Sequence, residues 1–196
     1  SKAKAGGGPL IDLGVHVIDM AIWALGNPKP TRVSAATYAE LGPKGRGQWL
    51  GGRFPFNPGE TYDVEDLATA FIRFEDGLTL QVDASWAAYT SHGDDFGLTV
   101  LGSEGGAEIK AQDYAQTGTL RFFGDLEGVP TVTEPKLLET QGHGEIFKGF
   151  VTSILTGAPM SPSGEEGLER VRLIEAIYRS AELGREVDVD EVSTAR

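Results

Sequence analysis

Residues 66–74 and 78–86 alternate apolar and polar side chains with a period of two. In the first run Ala68, Ala70, Ile72 and Phe74 share one face and Leu67, Thr69, Phe71 and Arg73 the other. In the second, Leu78, Leu80, Val82 and Ala84 oppose Thr79, Gln81, Asp83 and Ser85. Such alternation is the pattern of half-buried strands, and Asp76-Gly77 between the runs supplies the turn residues of a β-hairpin. One face of the pair is polar, so it meets water or an interface.

Weaker strand signals surround the hairpin at residues 32–40, 119–123 and 129–133, and residues 96–110 read as strand, glycine turn and return strand. A period near 3.6 marks three helices. The first spans residue 10 or 12 to 25 and stops at Gly26, Pro28 and Pro30. The second covers 144–156, with Ile146, Phe147, Phe150, Val151, Ile154 and Leu155 as its stripe and Gly157 as its cap. The third opens on a capping box of Ser163 and Glu166 and ends at Gly184. Its inward residues are read as Leu168, Val171, Ala176, Ile177 and Ala181, and its solvated ones as Glu169, Arg170, Arg172, Glu175, Arg179 and Glu182. Residues 41–60 carry six glycines and three prolines around Trp49, Phe54 and Phe56. This is an irregular excursion, either a lid or subunit contact or a cover for apolar surface. Residues 186–196 form an acidic tail with at most one edge strand. The fold class expected is α+β: a mainly antiparallel open sheet with helices packed on one face.

The first helix holds the chemistry. Asp12, His16 and Asp19 fall at i, i+4 and i+7, one line over two turns. Apolar residues from Leu13 to Leu25 surround them, which predicts a helix packed on most sides with costly buried carboxylates. The triplet is then either a satisfied polar seam between helix and sheet or an imidazole held by carboxylates for general-base work on an alcohol. Spacing alone does not choose. Gly14 within the helix implies a close neighbour at that turn. Trp86, Tyr89 and His92 at the end of the hairpin read as the rim of a sugar pocket or as an exposed strand end. His143 reads as a helix-start residue that could also face the pocket.

Composition narrows the partners. With 17 Lys and Arg against 29 Asp and Glu the formal charge is -12, which disfavours nucleic acid and anionic membranes. There is no cysteine, so disulfides, thiolate metal sites and a Cys nucleophile are excluded. His16, His92, Asp94 and Asp95 have ligand types that suit zinc or manganese, but their spacing is common and no metal site is expected. No uninterrupted apolar run reaches the roughly 18 residues of a membrane span. A cytoplasmic protein is the expectation.

The residues Gly7, Gly8, Asp12, Gly14, His16, Asp19, Trp23 and Gly26 match the signature G-G-x-x-x-D-x-G-x-H-x-x-D-x-x-x-W-x-x-G. In this the chain resembles the C-terminal domain of the Gfo/Idh/MocA family of NAD(P)-dependent oxidoreductases acting on sugars and cyclitols. DVEDLA before the hairpin and Ser85-Trp86 at its end extend the likeness. The resemblance implies that residues 1–196 are the substrate-binding and oligomerisation domain of a two-domain dehydrogenase whose N-terminal Rossmann domain lies upstream. NAD or NADP would be bound mainly by that domain, which also carries the family's Glu-Lys-Pro lysine, a motif this sequence lacks. It further implies His16 as general base on a carbohydrate hydroxyl, Asp12 orienting it, and Asp19 and Gly14 in support. A homo-oligomer through the open sheet face and an inactive isolated chain are expected. The alternative is a non-catalytic sugar-binding or oligomerisation module.

Overall fold

The computed structural model describes residues 1–47, 59, 61–90, 93–112, 119–137 and 142–194. The elements run α1 (Lys2–Ala5), a π-helical turn (Leu10–Gly14), α2 (Val15–Ala24), β1 (Pro30–Tyr38), β2 (Leu67–Phe74), β3 (Thr79–Ser85), β4 (Phe96–Leu101) and β5 (Gly106–Ala111). They continue with β6 (Thr119–Leu126), β7 (Val129–Thr133), α3 (His143–Thr156), α4 (Gly164–Leu183) and β8 (Val187–Asp188). Short 3-10 turns lie at Gly42–Lys44 and Val189–Thr194. Trp49, Phe54 and Phe56, expected in the irregular excursion, fall outside the described residues.

The fold is α+β, with two antiparallel four-stranded sheets, ordered β3-β2-β1-β8 and β4-β5-β6-β7, where a single open sheet was expected. The hairpin forms as its alternation predicts: Leu67 pairs with Ser85 and Arg73 with Thr79, and Gly77 takes φ 86 in the turn. Its apolar face, with Val33 of β1, packs on Ile18, Ala21 and Ile22 of α2 and on Leu173, Ile174, Ala176 and Ile177 of α4. By composition residues 2–24 are long and apolar enough to cross a membrane; here Leu10, Ile18, Ala21 and Ile22 of that stretch are core residues.

Two helix expectations change. The Ser163 and Glu166 capping box forms at the head of α4, and Gly184 caps its end at φ 61. The buried stripe is rotated, however: Arg170, Leu173, Ile174, Ala176, Ile177 and Ser180 face in, while Leu168 and Val171 are exposed. A side-chain network to Arg170 and Ser180 sets that rotation. Ser180 Oγ accepts the Ala35 amide at 2.9 Å and donates to the Arg185 carbonyl at 2.7 Å. The stripe of α3 stays open to solvent, with Phe147 71% and Leu155 79% exposed. A short helix, α1, precedes the glycines.

Candidate active site

The signature helix begins as a π-helix. Val15 N–H reaches the Leu10 carbonyl, five residues back, so residues 10–14 make one wide turn before α2 continues. Gly14 fits that turn against the sheet: a Cβ there would meet Leu10 Cδ1 at 3.1 Å and Ala84 Cβ of β3 at 3.3 Å. The close neighbour at this glycine is therefore β3.

The preceding glycines are fixed by a buried carboxylate. Glu65 Oε1 accepts the amides of Gly8 at 3.0 Å and Leu10 at 3.2 Å and the Tyr178 hydroxyl at 2.8 Å. Added Cβ atoms would lie 2.1 Å from the Glu65 carbonyl oxygen at Gly8 and 2.2 Å from the Tyr178 hydroxyl at Gly7. Burial first, and then Glu65, push the Tyr178 pKa well above the ordinary phenol value. The next residue, Asp66, is buried as well. Its carboxylate accepts the Leu41 and Gly42 amides, both at 2.7 Å, and its carbonyl accepts the Trp86 amide at 3.0 Å. Neither role was read from the sequence. An acidic pair directly before a buried strand was the available signal, because buried carboxylates need donors.

The expectation of a helix packed on most sides is overturned. The π-turn and α2 bury Leu10, Gly14, Ile18, Ala21 and Ile22 and leave Ile11, Asp12, His16, Asp19 and Trp23 exposed, Trp23 by 72%. One stripe suffices to seal the sheet, so the carboxylates keep their water. The triplet is also not a closed cluster. Asp12 Oδ2 accepts the indole N–H of Trp86 at 3.1 Å. Asp19 Oδ1 accepts from Arg170 Nε at 3.0 Å, and Arg170 Nη2 donates to Asn27 Oδ1 at 2.7 Å, which ties the end of α2 to α4.

His16 lines a cleft of about 580 Å³ between α2, β3 and β4, along with Leu13, Met20, Ser85, Phe96 and His143. His143 thus both begins α3 and borders the cleft. Trp86 meets Asp12, Tyr89 is 78% exposed and is not among the described residues of the cleft wall, and His92 lies outside the described residues. Among the described residues no group of three or more His, Asp or Glu is arranged to hold a metal. Dinucleotide binding on a parallel βαβ unit finds no counterpart among them either, since every strand pairing is antiparallel. The cleft offers an exposed imidazole, His16, and apolar wall from Leu13, Met20 and Phe96.

Fold and site together define an antiparallel α+β domain with a glycine-anchored helix that presents His16 at a cleft. The chain belongs to the Gfo/Idh/MocA oxidoreductases: the profile "Oxidoreductase family, C-terminal alpha/beta domain" matches residues 1–189. It is 28% identical over 190 residues to the D-glucoside 3-dehydrogenase of Escherichia coli (strain K12), covering 96% of this chain and 51% of that protein. The solved aldose-aldose oxidoreductase from Caulobacter crescentus, complexed with glycerol, is similar with a TM-score of 0.72 and 27% identity, over 96% of this chain and 49% of that one. A levoglucosan dehydrogenase in complex with NADH is similar with a TM-score of 0.74 and 25% identity, over 96% and 52%. The chain spans about half the length of that glucoside dehydrogenase and of the two solved chains.

Proposed function

We propose that this chain is the substrate-binding and catalytic half of an NAD(P)-dependent oxidoreductase acting on a sugar, polyol or related cyclic alcohol. The observation that carries the reading is His16 on the wall of the cleft, four residues after Asp12 in a helix whose start is clamped by Glu65. A cleft of about 580 Å³ suits a monosaccharide-sized ligand. The nicotinamide, bound chiefly by a separate nucleotide-binding domain, exchanges the hydride. His16 takes the proton of the substrate hydroxyl on oxidation or returns it on reduction. Asp12 holds the charge and orientation that this transfer needs. Leu13, Met20 and Phe96 supply apolar wall against the sugar carbons.

Self-association completes the proposal. Phe122, Leu126 and Val129 are exposed on one face of the second sheet by register. A second copy is the proposed cover, because contiguous exposed apolar surface of this kind marks an interface.

The test uses the full-length protein, NAD and NADP in turn, and a panel of neutral glycosides, anhydrosugars and cyclitols, followed by nicotinamide absorbance. Sugar-dependent reduction or oxidation of the cofactor is expected. The isolated 196-residue chain is expected to turn nothing over and to show no NAD(H) binding in the nanomolar to low-micromolar range by titration calorimetry. A full-length protein that binds sugars but never exchanges hydride would contradict the enzyme reading.

A further inference from the structure

We propose that Trp86 is the positioning residue of Asp12, acting through its indole N–H and not as wall for the sugar. The proposal rests on the reading of Asp12 and His16 as the proton-transfer pair. Trp86 Nε1 donates to Asp12 Oδ2 at 3.1 Å, which leaves Oδ1 as the acceptor for the imidazole or for a substrate hydroxyl. A lone carboxylate on an exposed helix face rotates about two side-chain bonds, and a charge-assisted bond to one oxygen removes that freedom.

Trp86 can do this because its own backbone is fixed. It follows the last residue of β3, and its amide donates to the carbonyl of Asp66, a residue that is 2% exposed. Ser85 Oγ donates to the same carbonyl at 2.9 Å and accepts the amide of buried Ala87 at 3.1 Å, closing the strand end on both sides of the tryptophan. The backbone of Asp12 is held independently: its amide donates to the Gly8 carbonyl at 3.2 Å, and Gly8 is gripped by Glu65. Consecutive residues therefore control the two ends of the bond, Glu65 the turn that carries Asp12 and Asp66 the strand end that carries Trp86. A shift of either would change the distance between indole and carboxylate, which is the supporting arrangement a precisely aimed acid or base needs.

The experiment is a double-mutant cycle in the full-length enzyme. Trp86→Phe keeps an aromatic ring and removes the donor; Asp12→Asn removes the acceptor charge. Trp86→Phe is expected to lower kcat by about tenfold or more, the size of one hydrogen bond to a charged group, with KM and nicotinamide affinity changed less than kcat. Trp86→Phe with Asp12→Asn is expected to be no slower than Asp12→Asn alone. Effects that multiply, or a Trp86→Phe variant altered only in KM, would overturn the positioning role in favour of sugar contact. If Asp12→Asn turns over like the native enzyme, the proton-transfer reading itself has failed and the proposal falls with it. A second readout needs no change at Trp86: its indole N–H resonance is expected to move on Asp12→Asn in a ¹⁵N spectrum. An unmoved resonance overturns the bond.

Discussion

The Glu65 carboxylate accepts the Gly8 amide at 3.0 Å, and the Glu65 backbone passes so close that a Cβ on Gly8 would lie 2.1 Å from its carbonyl oxygen. This contact joins the start of β2 to the start of the helix that bears Asp12 and His16. The glycine is thus needed for space; its φ is not in the left-handed region.

Gly8→Ala is accordingly expected to destabilise the fold by at least about 2 kcal/mol, since backbone must move to admit the methyl group. In a domain of this size that is about 5 °C or more in Tm. Gly149→Ala is the control. Gly149 sits within α3 with nothing within 4 Å of its added Cβ, and the substitution is expected to stabilise by about 0.5–1 kcal/mol. Thermal melts of the two variants check both values; equal shifts would contradict the close approach.

Tyr178 gives the contact a pH signature. Its pKa is raised in the folded state, chiefly by burial and then by Glu65, from an ordinary value of 10.0. Below that ordinary value the hydroxyl is protonated in folded and unfolded chains alike, and its contribution to stability is complete. Above it the unfolded chain ionises first, so stability is lost as pH rises toward the folded pKa. Tyr178→Phe is expected to cost about 1–2 kcal/mol at neutral pH, as Glu65 loses a donor. Its Tm is also expected to fall less than that of the native chain between about pH 9 and pH 11. Parallel curves would contradict the assignment.

Much of this architecture was legible because it is local. Period-two alternation with Asp76-Gly77 placed the central hairpin, Ser163 and Glu166 placed the head of α4, and β7 spans the residues its pattern predicts. The signature residues pointed to the helix that carries Asp12 and His16. What escaped was rotation and long-range pairing. Apolar residues on all sides of α2 concealed which stripe seals the sheet, and the wide turn at Leu10–Gly14 broke a register extrapolated at 3.6 residues per turn. Arg170 looked solvated because its neighbours in sequence are charged; its partner Asp19 is 151 residues away. The same distance in sequence separates cause from effect at Glu65 and Trp86, whose roles depend on residues 57 and 74 positions earlier.

The Asp19 and Arg170 pair carries its own prediction. The guanidinium side chain is 11% exposed and the carboxylate 54%, so Asp19→Ala strands a nearly buried cation while removing a well-hydrated anion. We expect Asp19→Ala to cost about 1–2 kcal/mol, discounted from a fully buried pair by the solvent around Asp19. Adding Arg170→Met, which removes the stranded charge and keeps apolar volume, is expected to recover part of that loss. Losses that simply add in denaturant titrations would show that the pair is not coupled.

The central claim is that His16 moves the substrate proton, and kinetics of His16→Asn in the full-length enzyme test it most directly. The account predicts a kcat lowered by about 10²- to 10⁴-fold, with nicotinamide affinity nearly unchanged because the cofactor is held elsewhere. A variant that turns over at the native rate would contradict it and remove His16 from the mechanism.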